Sequence, residues 1–210
     1  MLTPRLLKSG MSKSRTGLVA LLLMAGSMLL VGGCSSSYVK ASNVRNPPPL
    51  EPFRNFDRFE IQPIAMQAPY AGQAGNESAR QKMQSYIDEQ LVPQLQAWNA
   101  MPPQHSPVRV LRIEPQIRDI RFIHGAARIL AGGFAGSSAV IMDVKFSDAA
   151  TGAQIARPEF YSHAYALAGA YSFGVADNVM LIRPPTLLTE YVNANYVAAV
   201  GGRNSAEEPK

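Results

Sequence analysis

Three histidines, His105, His124 and His163, are the side chains of this sequence best suited to bind a metal ion or to move a proton. They are scattered along the chain. No two of them stand four residues apart, and no thiol accompanies them, whereas a zinc site is built from such neighbouring ligands. We therefore expect no metal site and no cofactor.

Two serines and a glycine run are the next candidates for chemistry. Ser137 and Ser138 lack the Gly-x-Ser-x-Gly elbow of a hydrolase, and the run 132–136 lacks the Lys-Ser or Lys-Thr that completes a phosphate loop. Glu159 and His163 share a face of a predicted strand, but they are not adjacent and no nucleophile is aimed at either. The sequence predicts that the protein is not an enzyme.

A basic stripe lies in the middle of the chain and could face an anion. Acidic residues are interleaved with it, which favours a solvated face of a sheet instead. Across the whole chain 20 basic residues oppose 15 acidic ones, but four of the basic residues precede Cys34, so 16 remain against 15 beyond it. This balance argues against nucleic acid as a partner. The stripe consists of Arg109, Arg112, Arg118 and Arg121.

Residues 1–33 have the features of an export signal in the required order. Basic residues without acidic ones come first, and an uncharged run of 14 residues, Leu18 to Val31, follows. A membrane-spanning helix needs about 20 apolar residues. Val31, Gly32, Gly33 and Cys34 then resemble the lipobox of bacterial lipoproteins. Met1 and Met11 both remain as the start of translation.

Cys34 is the only cysteine of the chain, so it has no partner for a disulfide in an oxidising compartment. We predict that signal cleavage leaves it as the lipidated first residue; the alternative is a buried cysteine in a transmembrane anchor. Serine at position 35, where aspartate would resemble an inner-membrane retention signal, predicts the outer membrane, with the domain facing the periplasm; exposure at the cell surface is the alternative.

Three segments should follow the signal peptide. Residues 34–54 contain serines and four prolines, which favour an extended tether; an ordered arm packed along the domain is the alternative. Residues 55–200 should form a single α+β domain, a small and mostly antiparallel sheet with two packed helices. The tail, 201–210, should be disordered.

Apolar periodicity predicts the two helices. The first should be capped by Asn76 and carry an apolar stripe at four-residue spacing, with Pro93 kinking or ending it. A short turn capped by Asp177 should precede Pro184 and Pro185, and the last helix should open at Pro185 or Thr186.

Alternation of apolar and polar residues predicts the strands. A strand from Phe59 should be short or at an edge, because Pro63 interrupts it. Residues 108–122 should form one bent strand or two short ones around Pro115. The strand at 140–146 should turn at 148–152, where Gly152 takes positive φ, and return as a partner strand.

Two uncharged stretches rich in glycine and alanine, 129–142 and 164–176, stand out beside this hairpin. Clustered glycine indicates tight turns or close backbone approach. Together with aromatic residues on the returning strand they form our predicted partner-binding surface. Its residues are Gly132, Gly133, Phe134, Gly136, Tyr161, Tyr165, Tyr171 and Phe173.

The order of a glycine-rich uncharged run, a strand, an Asp-x-x-Thr-Gly turn at 148–152 and a returning strand resembles two uncharacterised lipoprotein families of Gram-negative bacteria, the domains of unknown function 4410 and 3313. The likeness spans roughly residues 55 to 200. It implies an envelope location and a small α/β domain, and it carries no catalytic residue over to this chain.

Three functions remain open from the sequence. The first is a non-catalytic outer-membrane lipoprotein that binds an envelope protein, with homo-oligomers as an option. The second is an oligomeric secretion-type pore, because 129–142 and 164–176 are long enough for tilted membrane strands, although they lack clean alternation. The third is a periplasmic enzyme whose dispersed His, Arg and Asp residues converge in the fold.

Overall fold

The computed structural model describes residues 45–121, 138–164 and 175–205. They form an α+β fold, as predicted, in which three helices pack on a mixed and mainly antiparallel sheet. The elements are β1 (Arg45–Asn46), a 3₁₀ helix (Phe53–Asn55), β2 (Arg58–Ile61), β3 (Ala65–Met66), α1 (Ala74–Gln90), α2 (Val92–Asn99), β4 (Val110–Arg121), β5 (Ser138–Asp148), β6 (Gln154–Ala156), β7 (Glu159–Ala164), α3 (Val175–Val197) and β8 (Gly202–Arg203).

Two long antiparallel strands, β4 and β5, form the centre of the main sheet. β2 and β3 lie parallel to β4 on one side, and β6 and β7 lie antiparallel to β5 on the other. β2 is therefore the short edge strand that the sequence predicts. The remaining two strands, β1 and β8, pair with each other.

β4 is one strand of 12 residues that runs through Pro115. Proline donates no backbone hydrogen bond, so it is tolerated only where no partner strand needs one. β2 ends opposite Ile113 and β3 begins opposite Gln116. Ile113 O accepts from Gln62 on that side, at 2.9 Å. The N–H and C=O groups of successive strand residues point to opposite sides, so Pro115, two residues after Ile113, faces the same side as Ile113. Its nitrogen therefore points into the gap between β2 and β3.

The first predicted helix is split at the expected place: α1 ends at Gln90 and α2 begins at Val92, just before Pro93. The predicted cap is wrong. α1 begins at Ala74 with Gln73 in the N-cap position, and no side chain caps it. Asn76 lies inside the helix and its amide donates to Tyr70 O at 3.2 Å, because the preceding turn supplies a nearby acceptor.

The last helix begins earlier than predicted. α3 has 23 residues and continues through Pro184 and Pro185, where the sequence places a break. Each internal proline costs about 3 kcal/mol. Four buried side chains flank the prolines, and each contributes about 1.5–3 kcal/mol, so packing on both sides holds one helix across the break. These side chains are Met180, Leu181, Leu187 and Leu188.

The core lies on one face of the sheet, where the apolar side chains of the strands contact α1 and α3. Tyr191 of α3 sits at the centre with 1 % exposure, and its ring lies 6.0 Å from both Phe146 and Phe160. The opposite face, which we call the polar face, presents the alternate residues of β4, β5 and β7.

An N-terminal arm, residues 45–52, packs along the domain, which corresponds to the alternative kept open for part of the 34–54 segment. Tyr191 donates its hydroxyl to Pro47 O at 2.9 Å, and Phe53, just after the arm, is fully buried and stacks on Phe146. The extended backbone that prolines favour suits such an arm as well as a tether. The domain therefore extends beyond the predicted boundary at 55.

The chain after α3 is also ordered further than predicted. Gly201 takes a φ of +75° and leads into β8, which pairs with β1. Asn204, just after β8, is buried, with 2 % exposure. β8 has a partner only because the arm lies beside it, a contact that the local sequence does not reveal. Residues 206–210 lie outside the described chain.

Candidate functional site

Of the predicted partner-binding residues, Tyr161 is in the described part of the chain. It lies on β7 opposite Ile141, stacks on His163 at 5.5 Å between ring centroids, and donates its N–H to Asn204 O at 2.7 Å. Cys34 and the other seven predicted residues lie outside the described residues: Gly132, Gly133, Phe134, Gly136, Tyr165, Tyr171 and Phe173.

The residues that flank these two stretches meet at one end of the sheet. Arg121, the last residue of β4, is paired with Ala139, and Ser138, the first residue of β5, is paired with Ala164, the last of β7. We call this end of the sheet, along the strand direction, the Ser138 end. The chain thus leaves the sheet at Arg121 and re-enters it at Ser138 around the first stretch, and it leaves the sheet again at Ala164 for the second, all at the same end.

The N-terminal arm is directed toward the same end. Leu50 N–H donates to Ile155 O at 2.9 Å, while the Asn46 amide exchanges two bonds with the backbone of Glu159, both of 2.8 Å. The arm therefore runs antiparallel to β6 and β7. Followed backwards from Leu50 to Asn46, it approaches the Ser138 end.

Three arginines of the predicted basic stripe, Arg109, Arg112 and Arg118, bind carboxylates. Arg112 lies 3.8 Å from Glu60 across the polar face. Arg109 donates to Glu51 at 2.8 and 3.0 Å and to Asp148 at 3.2 Å, and its guanidinium covers the Phe56 ring at 4.3 Å. The guanidinium groups of Arg109 and Arg112 are thus paired with carboxylates of the domain itself.

A bulge in β4 builds a charge cluster around two buried carboxylates. The register shifts between Ile117 and Asp119, so Arg118 is the extra residue and reaches across the polar face. Its guanidinium bonds to Glu159, which is 4 % exposed, and to Asp143, where Nη1 lies 3.3 Å from Oδ2 and 3.2 Å from Oδ1. Arg157 lies 3.8 Å from Asp143. We call these four residues the Arg118 cluster.

The two carboxylates of this cluster are cross-strand neighbours. Burial raises the pKa of Asp143, and the negative charge of Glu159 raises it further, while Arg118 and Arg157 oppose the change. Arginine between two carboxylates neutralises them and occupies the space where a cation would sit. The residues described here contain no group of three His, Cys, Asp or Glu side chains placed to hold a metal ion.

Asp57 is a second buried carboxylate, which the sequence analysis missed. It accepts hydrogen bonds from the backbone N–H of Gln104 at 2.6 Å and of Arg109 at 2.9 Å, and it lies 3.0 Å from His105 Nδ1. Burial alone raises the pKa of Asp57, but the bonds from Arg109, Gln104 and His105 lower it to about 2.

Asp57 and His105 form the carboxylate–imidazole pair on which many general bases rely. Within the described ranges, no hydroxyl or thiol is hydrogen-bonded to His105. The two backbone bonds to Asp57 close the loop between α2 and β4 instead. The sequence offers no signal for this arrangement, because Asp57 lies 47 residues before the first of its partners.

A groove of about 440 Å³ lies between the first half of α1 and the start of α3. Small side chains line most of it, and Lys82, its one cationic residue, places its Nζ 4.9 Å above the Tyr86 ring. This lining does not define a ligand class. The other lining residues are Ala74, Gly75, Ser78, Ala79, Asn178 and Leu181.

None of the three helices in the described chain combines the length and the hydropathy that a membrane crossing requires. No protein-family model matches the chain, and no curated protein matches it either. The resemblance to the two lipoprotein families therefore stays a prediction.

Solved structures with a similar arrangement include two PelC dodecamers from Paraburkholderia phytofirmans in different crystal forms, one of them a single-substitution variant. Both are 15 % identical to this chain, with TM-scores of 0.36 and 0.34, and cover 68 % and 66 % of this chain and 93 % and 89 % of PelC.

Two further structures are similar at the same level. The hypothetical protein CT253 of Chlamydia trachomatis is 9 % identical with a TM-score of 0.38, covering 67 % of this chain and 99 % of its own. A Caulobacter crescentus protein assigned as a lipoprotein is 12 % identical with a TM-score of 0.31, covering 64 % and 91 %. At these scores the likenesses carry no argument about function.

Proposed function

We propose that this chain is an outer-membrane lipoprotein, anchored through lipid on Cys34, whose periplasmic domain is a non-catalytic binding module for an envelope protein. The partner binds at the Ser138 end. The residues that contact it come from the two uncharged stretches and from β7, and are Gly132, Gly133, Phe134, Gly136, Tyr161, Tyr165, Tyr171 and Phe173.

The observation that carries this proposal is the pairing of Arg121 with Ala139 and of Ser138 with Ala164. The two stretches are separate in the sequence, and the register brings both of their attachment points to one end of one sheet. Segments held by a rigid scaffold at a common end are well placed to form a binding surface.

The charge arrangement favours binding over catalysis. Catalytic groups need a free acid, base or nucleophile that faces a substrate. Among the described residues, the carboxylates with clearly displaced pKa values are held by arginines or by backbone N–H groups. Their bonds stabilise the fold, and the groove between α1 and α3 gathers no comparable set.

The pore alternative is less favoured because part of its first membrane segment belongs to the core. Residues 138–142 of that segment lie in β5, where Val140 and Met142 are fully buried. Moving these two side chains out of the core would forfeit about 1.5–3 kcal/mol each.

Photo-crosslinking in intact cells tests the proposal. A benzophenone amino acid replaces Phe134 or Tyr171 in the lipidated protein, and the matched control replaces Tyr86, a half-buried aromatic residue on α1. We expect both test positions, and not the control, to capture the same envelope protein. Ladders of the chain itself, or capture of lipid, would instead support the pore, and equal capture from Tyr86 would refute a specific site.

A further inference from the structure

The outer edge of β2 is occupied by one side chain. Among the described residues, β2 pairs with β4 on its inner edge only. On the outer edge, Phe59 N–H donates to Asn99 Oδ1 at 2.7 Å, and Asn99 Nδ2 donates to Phe59 O at 2.9 Å. A hydrogen-bonded residue of an antiparallel strand would make this same pair of bonds. The Asn99 amide therefore stands in for one residue of a neighbouring strand.

Packing holds Asn99 in this position. It is the last residue of α2, and the preceding Trp98 lies 5.2 Å from the Phe59 ring and stacks on Tyr196 at 4.0 Å. The two aromatic contacts fix the end of α2 against β2. Asn99 thus presents its amide without a large loss of side-chain freedom.

The opposite edge of the sheet is closed differently. There the arm and the C-terminal residues supply backbone groups: Leu50 N–H reaches Ile155, Tyr161 N–H reaches Asn204, and the Asn46 amide covers Glu159. Several bonds would have to break to free that edge. At β2, in the described chain, only the two bonds of Asn99 reach the outer backbone groups of Phe59, and the end of α2, which Trp98 packs against Phe59, would have to move aside with them.

We propose that Asn99 prevents β2 from pairing with β2 of a second copy of this chain. Unpaired edges invite strand addition. If two β2 strands met antiparallel about Phe59, each Phe59 would exchange both bonds now made by Asn99. In that register Arg58 of one copy faces Glu60 of the other, which places opposite charges across the pair. This charge complementarity favours β2 of a second copy as the strand that would pair with the outer edge of β2.

The test measures the mass of the lipidated full-length protein by sedimentation in density-matched detergent. Asn99→Ala should double the mass relative to the parent, whatever the mass of the parent is. Ile87→Val, which trims a fully buried side chain of α1 and leaves the edge intact, controls for lost stability and should keep the parental mass. Asn99→Asp keeps the shape and the bond from Phe59 N–H, so it should dimerise less than Asn99→Ala.

Charge variants test the register in the Asn99→Ala background. Adding Arg58→Glu should abolish the dimer, because Glu would then face Glu60, and adding Glu60→Arg as well should restore it. Amide exchange of Phe59 measured on the monomer should be faster in Asn99→Ala than in Ile87→Val. An unchanged mass, unchanged exchange at Phe59, doubling by Ile87→Val, or indifference to the charge variants would each overturn the proposal.

Discussion

Asp57 connects two stretches of chain that local sequence patterns do not connect. Its side chain is 2 % exposed and receives the N–H groups of Gln104 and Arg109 together with His105. Its pKa of about 2 in the folded protein lies below the 3.8 of a free aspartate. Deprotonated Asp57 is thus favoured by folding, and it stabilises the protein wherever an unfolded aspartate would also be ionised.

We expect Asp57→Asn to lower the free energy of unfolding at neutral pH, because Asn offers one acceptor oxygen and no charge. The sign follows from the lowered pKa: the contribution of Asp57 is complete above about pH 4 and is lost as pH falls toward about 2. Urea unfolding at several pH values measures the difference between variant and parent. Asp88→Asn, on the exposed surface of α1, is the control. If the free energies of unfolding of the parent and of Asp57→Asn differ as much at pH 2 as at neutral pH, the argument is contradicted.

The Arg118 cluster marks the limit of prediction at the residue scale. Alternation on β7 places Glu159 and His163 on one face, which follows from the sequence. The bulge at Arg118 does not, because one extra residue in β4 changes the partner of every side chain beyond it. Sequence patterns therefore predict the faces of single strands, whereas the contacts across strands depend on register.

At the scale of elements, periodic patterns succeed where one local effect dominates. The split at Leu91 follows from Pro93, and the hairpin turn follows from Asp148 and Gly152, which takes a φ of +72°. α3 contradicts its local signal because its neighbours in the core outweigh two prolines. Burial across a helix is a tertiary effect that no window of sequence contains.

Gly201 joins two elements through a close approach and gives a sharp prediction. A Cβ here would lie 2.5 Å from Asn46 O and 3.0 Å from Pro47 C, and the residue has positive φ. Gly152 has a similar φ with open space around it, so Gly152→Ala should cost only the backbone strain, about 1–2 kcal/mol. We expect Gly201→Ala to cost about 1–3 kcal/mol more, by overpacking.

Chemical denaturation of the two alanine variants measures this difference. Limited proteolysis adds a specific readout, because the strain at Gly201 is relieved by moving the arm. Cleavage within residues 45–52 should therefore be faster in Gly201→Ala than in Gly152→Ala. Equal stabilities and equal cleavage rates would show that the arm and the C-terminal turn do not constrain each other.

For the whole molecule, the sequence predicts the fold class because most of the core comes from periodic helices and strands. It does not predict where the domain begins and ends. The pairing of Arg45 with Arg203 joins residues 158 positions apart, through two strands of two residues each. Such short strands lack a periodicity, and each is stable only because the other is present.

The buried core residues of the described chain lie between Phe53 and Val192, and the proposed lipid is on Cys34. Cys34→Ser should therefore leave the melting temperature of the domain unchanged while releasing the protein from the outer-membrane fraction, because membrane affinity depends on the acyl chains. Ser36→Ala, two residues away, should stay in the membrane. Fractionation of cells and mass spectrometry of the N-terminus, which separates mature protein from uncleaved precursor, measure both outcomes. Mature Cys34→Ser protein that remains with the outer membrane would mean that the domain, or its partner, holds it there without lipid.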